Sequence, residues 1–121
     1  MSKGNLLKAE DIRNMASNPI IFALANPTPE IMPEEAKSAG AFIVATGRSD
    51  FPNQVNNVLA FPGIFRGALD ARLPQITDEH KVAAAEALAG YIQNPDVDHI
   101  LPSALDKGVA KVIAEAVKMK I

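Results

Sequence analysis

Two short apolar runs, Ile20–Ala25 and Ala41–Thr46, stand out from a chain otherwise patterned as helices and loops. Neither run alternates with polar residues, which predicts strands buried on both faces, as in a parallel sheet. Between them, Pro33–Gly40 has proline at its first position, Glu34 and Glu35 in its first turn and glycine at its end. Those are the marks of a short helix with a left-handed stop. Strand, helix and strand in that order predict two adjacent parallel strands joined by a right-handed crossover. Both strands read as central rather than edge strands, since they lack charge and alternation. Upstream, Ala9–Ala16 suggests a short helix with Ile12 and Met15 on one face, ended by Ser17-Asn18-Pro19. The run Asn26-Pro-Thr-Pro29 stops the first strand, because each proline removes an amide donor and pushes its predecessor away from the α region.

The second apolar run breaks at Gly47 and enters a polar loop holding Asn53, Gln54 and Asn56. From Asn57 the pattern is helical as far as Leu73, and Pro62-Gly63 is expected to divide it into a turn (Asn57–Phe61) and a helix (Ile64–Leu73). Thr77 reads as an N-cap with Asp78 and Glu79 behind it, and Val82, Ala85, Ala89 and Ile92 as one apolar stripe. Ser103-Ala-Leu-Asp106 resembles a capping box opening a last helix. That helix is expected to turn Leu105, Val109, Val112, Ile113, Ala116 and Val117 inward.

Parallel strands place their two following loops on one edge of the sheet, where open α/β sheets take their ligands. The loops at Asn26 and at Gly47–Asn57 are therefore expected to converge on one crevice lined by amides, each with two donors and an acceptor. Asn26 suits a tight turn before proline as well as a ligand contact. Thr46, Gly47 and Ser49 could present hydroxyl or backbone groups to a cofactor, or serve the turn alone. Arg48 pairs most simply with Asp50, a cofactor phosphate being the alternative. His80 and His99 read as surface histidines, and Asp96 with Asp98 lacks the other ligands of a calcium loop.

Charge and composition narrow the partners. The 121 residues carry a formal net charge of −2, without a basic stripe or aromatic platform, so nucleic acid is not expected. No apolar run approaches the roughly 20 residues of a membrane helix. Cysteine is absent, which removes disulfides and thiolate chemistry and fits a cytoplasmic setting. The length fits one domain, but two strands make a poor sheet alone, and no glycine-rich phosphate turn is visible. The expected fold is thus α/β: a partial Rossmann-like parallel sheet of about two strands with several flanking helices, the C-terminal part of a larger domain.

The stretches Phe22–Ile31 and Ala45–Asp70 (Ala-Thr-Gly-Arg-Ser-Asp-Phe-Pro-Asn-Gln-Val-Asn-Asn-Val-Leu-Ala-Phe-Pro-Gly-Ile-Phe-Arg-Gly-Ala-Leu-Asp) resemble the bacterial and archaeal type of malic enzyme. The likeness extends more weakly over nearly the whole chain. It implies that residues 1–121 are the C-terminal portion of that family's NAD(P)-binding domain, a single incomplete domain. The family converts malate to pyruvate and carbon dioxide with NAD or NADP and a divalent metal, Mg or Mn. The resemblance places Asn26 beside the nicotinamide ribose and substrate, and makes Asn56 and Asn57 the paired amides that meet the substrate and the nicotinamide carboxamide. Asn57 also suits an N-cap, and Asn56 is the favoured substrate contact. The family's catalytic tyrosine and lysine, metal-binding acids and phosphate loop have no counterpart here. No catalytic or metal-binding residue is therefore expected in this chain, and no turnover by it alone. Two other readings remain: a non-catalytic fragment that self-associates, as a homodimer for example, through open strand edges, and a stand-alone nucleotide-binding module.

Overall fold

The computed structural model describes residues 2–120. It comprises two compact units: one built from the residues up to Val55 together with Pro95–Ile100, the other from Asn56–Asn94 together with the residues from Leu101 onward.

The first unit holds two strands, β1 (Ile20–Ala23) and β2 (Ile43–Thr46), and two short helices, α1 (Ala9–Arg13) and α2 (Pro33–Ser38). The strands are parallel and in register, with Ile20 opposite Ile43 and Ala23 opposite Thr46. Helix α2 starts on Pro33 with Glu34 and Glu35 in its first turn, and Gly40 follows its end at φ 109°, the left-handed stop read from the sequence. In front of α1 the Lys8 N–H donates to the Asp11 carboxylate at 2.8 Å.

The expectation of strands buried on both faces fails for β1. Ile21 and Ala23 are buried, whereas Ile20 and Phe22 are 56% and 53% exposed. The cause lies in the packing: Ile12, Ile31, Ala36 and Ala39 gather with Ile21, Ala23 and Val44 in one core, on one face of β1. An unbroken apolar run reads the same whether one face or two are covered. Among the described residues β1 pairs with β2 alone. On its other side β2 gains a parallel bridge from Thr46 to Gln54, with the Val55 N–H donating to the Thr46 carbonyl at 2.8 Å.

The second unit is helical: a single 3₁₀ turn (Asn57–Leu59), then α3 (Phe61–Asp70), α4 (Asp78–Ala89) and α5 (Gly108–Lys118). Its core gathers Leu59, Ala84, Val109, Ile113 and Val117. The expected division into a turn and a longer helix is present, but it falls at Ala60 rather than at Pro62-Gly63. Pro62 lies in the first turn of α3, where its missing N–H costs nothing, and Gly63 is buried. Glycine there has a packing reason: a Cβ on Gly63 would stand 2.6 Å from the Ile113 Cβ, and one on Gly67 2.6 Å from the Ala114 carbonyl oxygen. These two positions let α3 and α5 approach closely.

Three further expectations are corrected in this unit. The buried face of α4 carries His80, Ala83 and Ala84, with Ala87 and Leu88 partly covered; Val82 is 55% exposed. Alanines on several faces give α4 little contrast from which to read a stripe. Helix α5 begins at Gly108, later than the Ser103–Asp106 capping signal suggests, which leaves Leu105 88% exposed and Val112 outside the buried set. His80 is no surface residue. Its Nδ1 accepts the Thr77 N–H at 3.0 Å, which leaves Nε2 to carry the hydrogen and donate to the Lys120 carbonyl at 2.7 Å. The ring thus joins the start of α4 to Lys120, two residues beyond α5. His99 is exposed, as expected, and faces the Asp96 carboxylate at 2.9 Å.

Candidate functional site

The residues at the carboxyl ends of β1 and β2 form a cleft of about 460 Å³ lined by Asn26, Pro27, Gly47, Arg48, Ser49, Asp50 and Gln54. Each wall follows from local chemistry. Asn26-Pro-Thr-Pro29 cannot extend β1, and the chain turns there onto Glu30. The Glu30 carboxylate accepts the Ala25 N–H at 3.0 Å and the Ser2 hydroxyl. The Ser2 hydroxyl chiefly holds Glu30 below its ordinary pKa; burial works the other way, and the Ala25 N–H adds to the lowering. The Asn5 N–H and Leu7 N–H donate to the carbonyls of Pro29 and Glu30 at 3.0 and 2.9 Å, which fixes the far end of the turn.

Asn26 is exposed, and its side-chain amide has no hydrogen-bond partner among the described residues. It lies against Gly47: a Cβ built there would stand 3.1 Å from Nδ2 and 3.3 Å from Oδ1. The amide therefore has all its donors and its acceptor available to a ligand. Thr46 is fully buried and its Oγ1 accepts the Arg48 N–H at 3.1 Å, so the hydroxyl shapes the loop from beneath. Gly47 and Ser49 line the cleft. Arg48 makes the local pair its spacing suggested, with Nε and Nη2 at 2.8 and 2.6 Å from the Asp50 carboxylate. That pairing holds the Asp50 carboxyl below its ordinary pKa.

Asn53, read from the sequence as one of three amides in the polar loop, is a buried structural clasp. Its Nδ2 donates to the carbonyls of Val44 and Val97 at 3.1 and 2.8 Å, and its Oδ1 accepts the Ile100 N–H at 3.0 Å. Its φ of 58° is one that asparagine tolerates better than most residues. In the second unit Asn56, not Asn57, is the N-cap: its Oδ1 accepts the Val58 N–H at 3.1 Å. Asn57 is the first residue of the 3₁₀ turn and is exposed. The Asn56 amide nitrogen has no protein partner among the described residues, so capping occupies its oxygen and leaves its donors available.

Loops after adjacent parallel strands that share one cleft are how α/β nucleotide-binding proteins present ligand groups. The family model described as "Malic enzyme, NAD binding domain" matches residues 2–121, and the chain belongs to that family. It is 56% identical over 119 residues to the bifunctional malic/malolactic enzyme of Bacillus subtilis, covering 97% of this chain and 29% of that protein. It is 56% identical over 101 residues to the NADP-dependent malic enzyme of Rhizobium meliloti, covering 83% of this chain and 13% of that one. The crystal structure of malic enzyme from Pyrococcus horikoshii superposes with a TM-score of 0.95 at 52% identity, over 99% of this chain and 28% of that chain. The chain thus spans less than a third of the length of these relatives. No helix among the described residues is long and apolar enough to cross a membrane.

Proposed function

We propose that this chain is the C-terminal portion of the NAD(P)-binding domain of a malic enzyme, an oxidoreductase converting malate to pyruvate and carbon dioxide. The observation that carries the reading is the unpartnered Asn26 amide seated against Gly47 at the ends of two parallel strands, in a chain of this family. Asn26 then faces the nicotinamide ribose and the substrate. Asn56, its oxygen committed to Val58, offers amide donors to the substrate carboxylate or hydroxyl. Asn57 meets the nicotinamide carboxamide, and Gly47 and Ser49 border the cofactor. NAD or NADP, when bound, supplies the hydride acceptor, while these side chains orient the groups that react. The described residues hold no group of three or more His, Cys, Asp or Glu that could bind a metal. A divalent metal such as Mg or Mn therefore does not fit the described residues of this chain. A cytoplasmic setting accords with the cysteine-free sequence.

The test is a chimaera in which this chain replaces the matching segment of the Pyrococcus horikoshii enzyme, assayed beside that parent. Malate-dependent reduction of NAD or NADP is expected, and Asn57→Ala should lower it about a hundredfold, as misplacement of the reacting nicotinamide does. An active chimaera indifferent to Asn57→Ala would refute the assignment of that amide, and an inactive one would count against the function.

A second reading has its own observation. Ile20 and Phe22 are exposed on one face of β1, with Leu24 exposed just beyond it, and β1 has no second partner among the described residues; exposed edges of this kind invite pairing. In that reading the chain self-associates, as a homodimer or otherwise, without catalysis. Sedimentation over a range of concentrations decides: a single monomeric species throughout removes it.

A further inference from the structure

Arg48 commits its donors in several directions. Nε and Nη2 hold the Asp50 carboxylate, Nη1 points to the Pro27 carbonyl at 3.4 Å, and the backbone N–H donates to Thr46 Oγ1. The guanidinium also lies 5.1 Å above the Phe51 ring, within cation–π range. One residue thus joins the end of β2 through its backbone, and its own loop and the residue bonded to Asn26 through its side chain. With one edge spent on Asp50, Arg48 has little charge left for a cofactor phosphate. Gly47 completes the arrangement. Its φ is not left-handed, so the backbone does not call for glycine. Space bears on it instead: a Cβ would stand 3.1 Å from the Asn26 Nδ2, so the amide would have to give by a few tenths of an ångström.

We infer that Gly47 and Arg48 are positioning residues that together set the orientation of the Asn26 amide, Gly47 by seating it and Arg48 by tying Pro27 to Asp50. The consequence for turnover rests on the proposed malate oxidation; the seat itself does not. Lysine at position 48 keeps the charge but lacks the planar fork that reaches Asp50 and Pro27 together.

The first measurement uses the chain without ligand. Side-chain amide resonances of Asn26 are followed by NMR in the unaltered chain, Gly47→Ala and Arg48→Lys, with the Asn53 amide pair as an internal reference for the fold. Displaced or broadened Asn26 signals beside unmoved Asn53 signals are expected in both variants. Unmoved Asn26 signals in Arg48→Lys overturn the inference even where Gly47→Ala fails to fold. The second measurement uses the chimaera. Arg48→Lys should lower kcat for malate oxidation about tenfold, a misplacement effect, with KM for the nicotinamide cofactor rising by a smaller factor. The Gly47→Ala effect should vanish in an Asn26→Ala background. An undiminished kcat in Arg48→Lys, where Asn26→Ala abolishes it, overturns the inference. A chimaera with no malate oxidation counts against the proposed function, and the NMR result then decides the seat.

Discussion

The Asn53 Nδ2 lies 2.8 Å from the carbonyl oxygen of Val97, 44 residues further along the chain. The same side chain holds the Val44 carbonyl and the Ile100 N–H, so one amide fixes the segment 95–100 to the end of β2. Asn53→Ala removes three hydrogen bonds, leaves buried polar groups unpaired and puts a Cβ-bearing residue without a local partner at φ 58°. The expected loss is roughly 2–4 kcal/mol in urea unfolding. Asn53→Gly removes the backbone strain but not the lost bonds, and should fall between the two.

Gly67→Ala raises helix propensity by about 1 kcal/mol, yet should destabilise the chain. The added methyl would meet the Ala114 carbonyl oxygen at 2.6 Å and the Val117 Cβ at 2.9 Å. Overpacking against backbone costs roughly 1–3 kcal/mol, so propensity loses. Gly90→Ala is the contrast. At φ −82°, with no atom nearer than the Glu86 carbonyl at 3.4 Å, it should leave stability unchanged or raise it by up to about 1 kcal/mol. Paired urea titrations check both signs.

Glu30 makes the first unit sensitive to acid. Its folded pKa lies below the ordinary 4.5, chiefly through the Ser2 hydroxyl. The contribution is therefore fully present above 4.5 and is lost as pH falls through the lowered folded value. Glu30→Gln should flatten that acid limb, and the Ala25 amide resonance, whose N–H the carboxylate accepts, should titrate with it in the unaltered chain.

Asn56→Asp separates capping from ligand contact. Aspartate keeps an oxygen for the Val58 N–H and caps about as well as asparagine, so stability should change by less than about 0.5 kcal/mol. The amide donors are gone and a negative charge takes their place. Malate oxidation by the chimaera should then fall about tenfold or more. A melting curve and a rate measured on the same preparation give both answers.

The parts of the fold legible in the sequence were those fixed by local chemistry. The two strands, the proline-led α2 and the stop at Gly40 each follow from a run of residues a few positions long, and the strand–helix–strand order makes the pair parallel. What was not legible depended on partners far along the chain. His80 is buried because the Lys120 carbonyl receives it, and Asn53 because Val97 and Ile100 do. Neither partner leaves a trace near the residue it holds. In the candidate site, the strand order led to Asn26 and Gly47, which the structure brings together. The role of Gly47 as a seat needed the opposing amide to be in view, and the Arg48 link to Pro27 crosses between loops.

The first unit is assembled from two stretches of chain separated by Asn56–Asn94. A ribosome delivers these pieces in order, so Asn53 emerges well before the carbonyl and amide it will hold. Its clasp cannot form until residue 100 is out of the exit tunnel, by which time α3 and α4 have already been made. Local helices close early and long-range pairings late. The strand pair near the beginning of the chain is therefore finished by residues synthesised long after it.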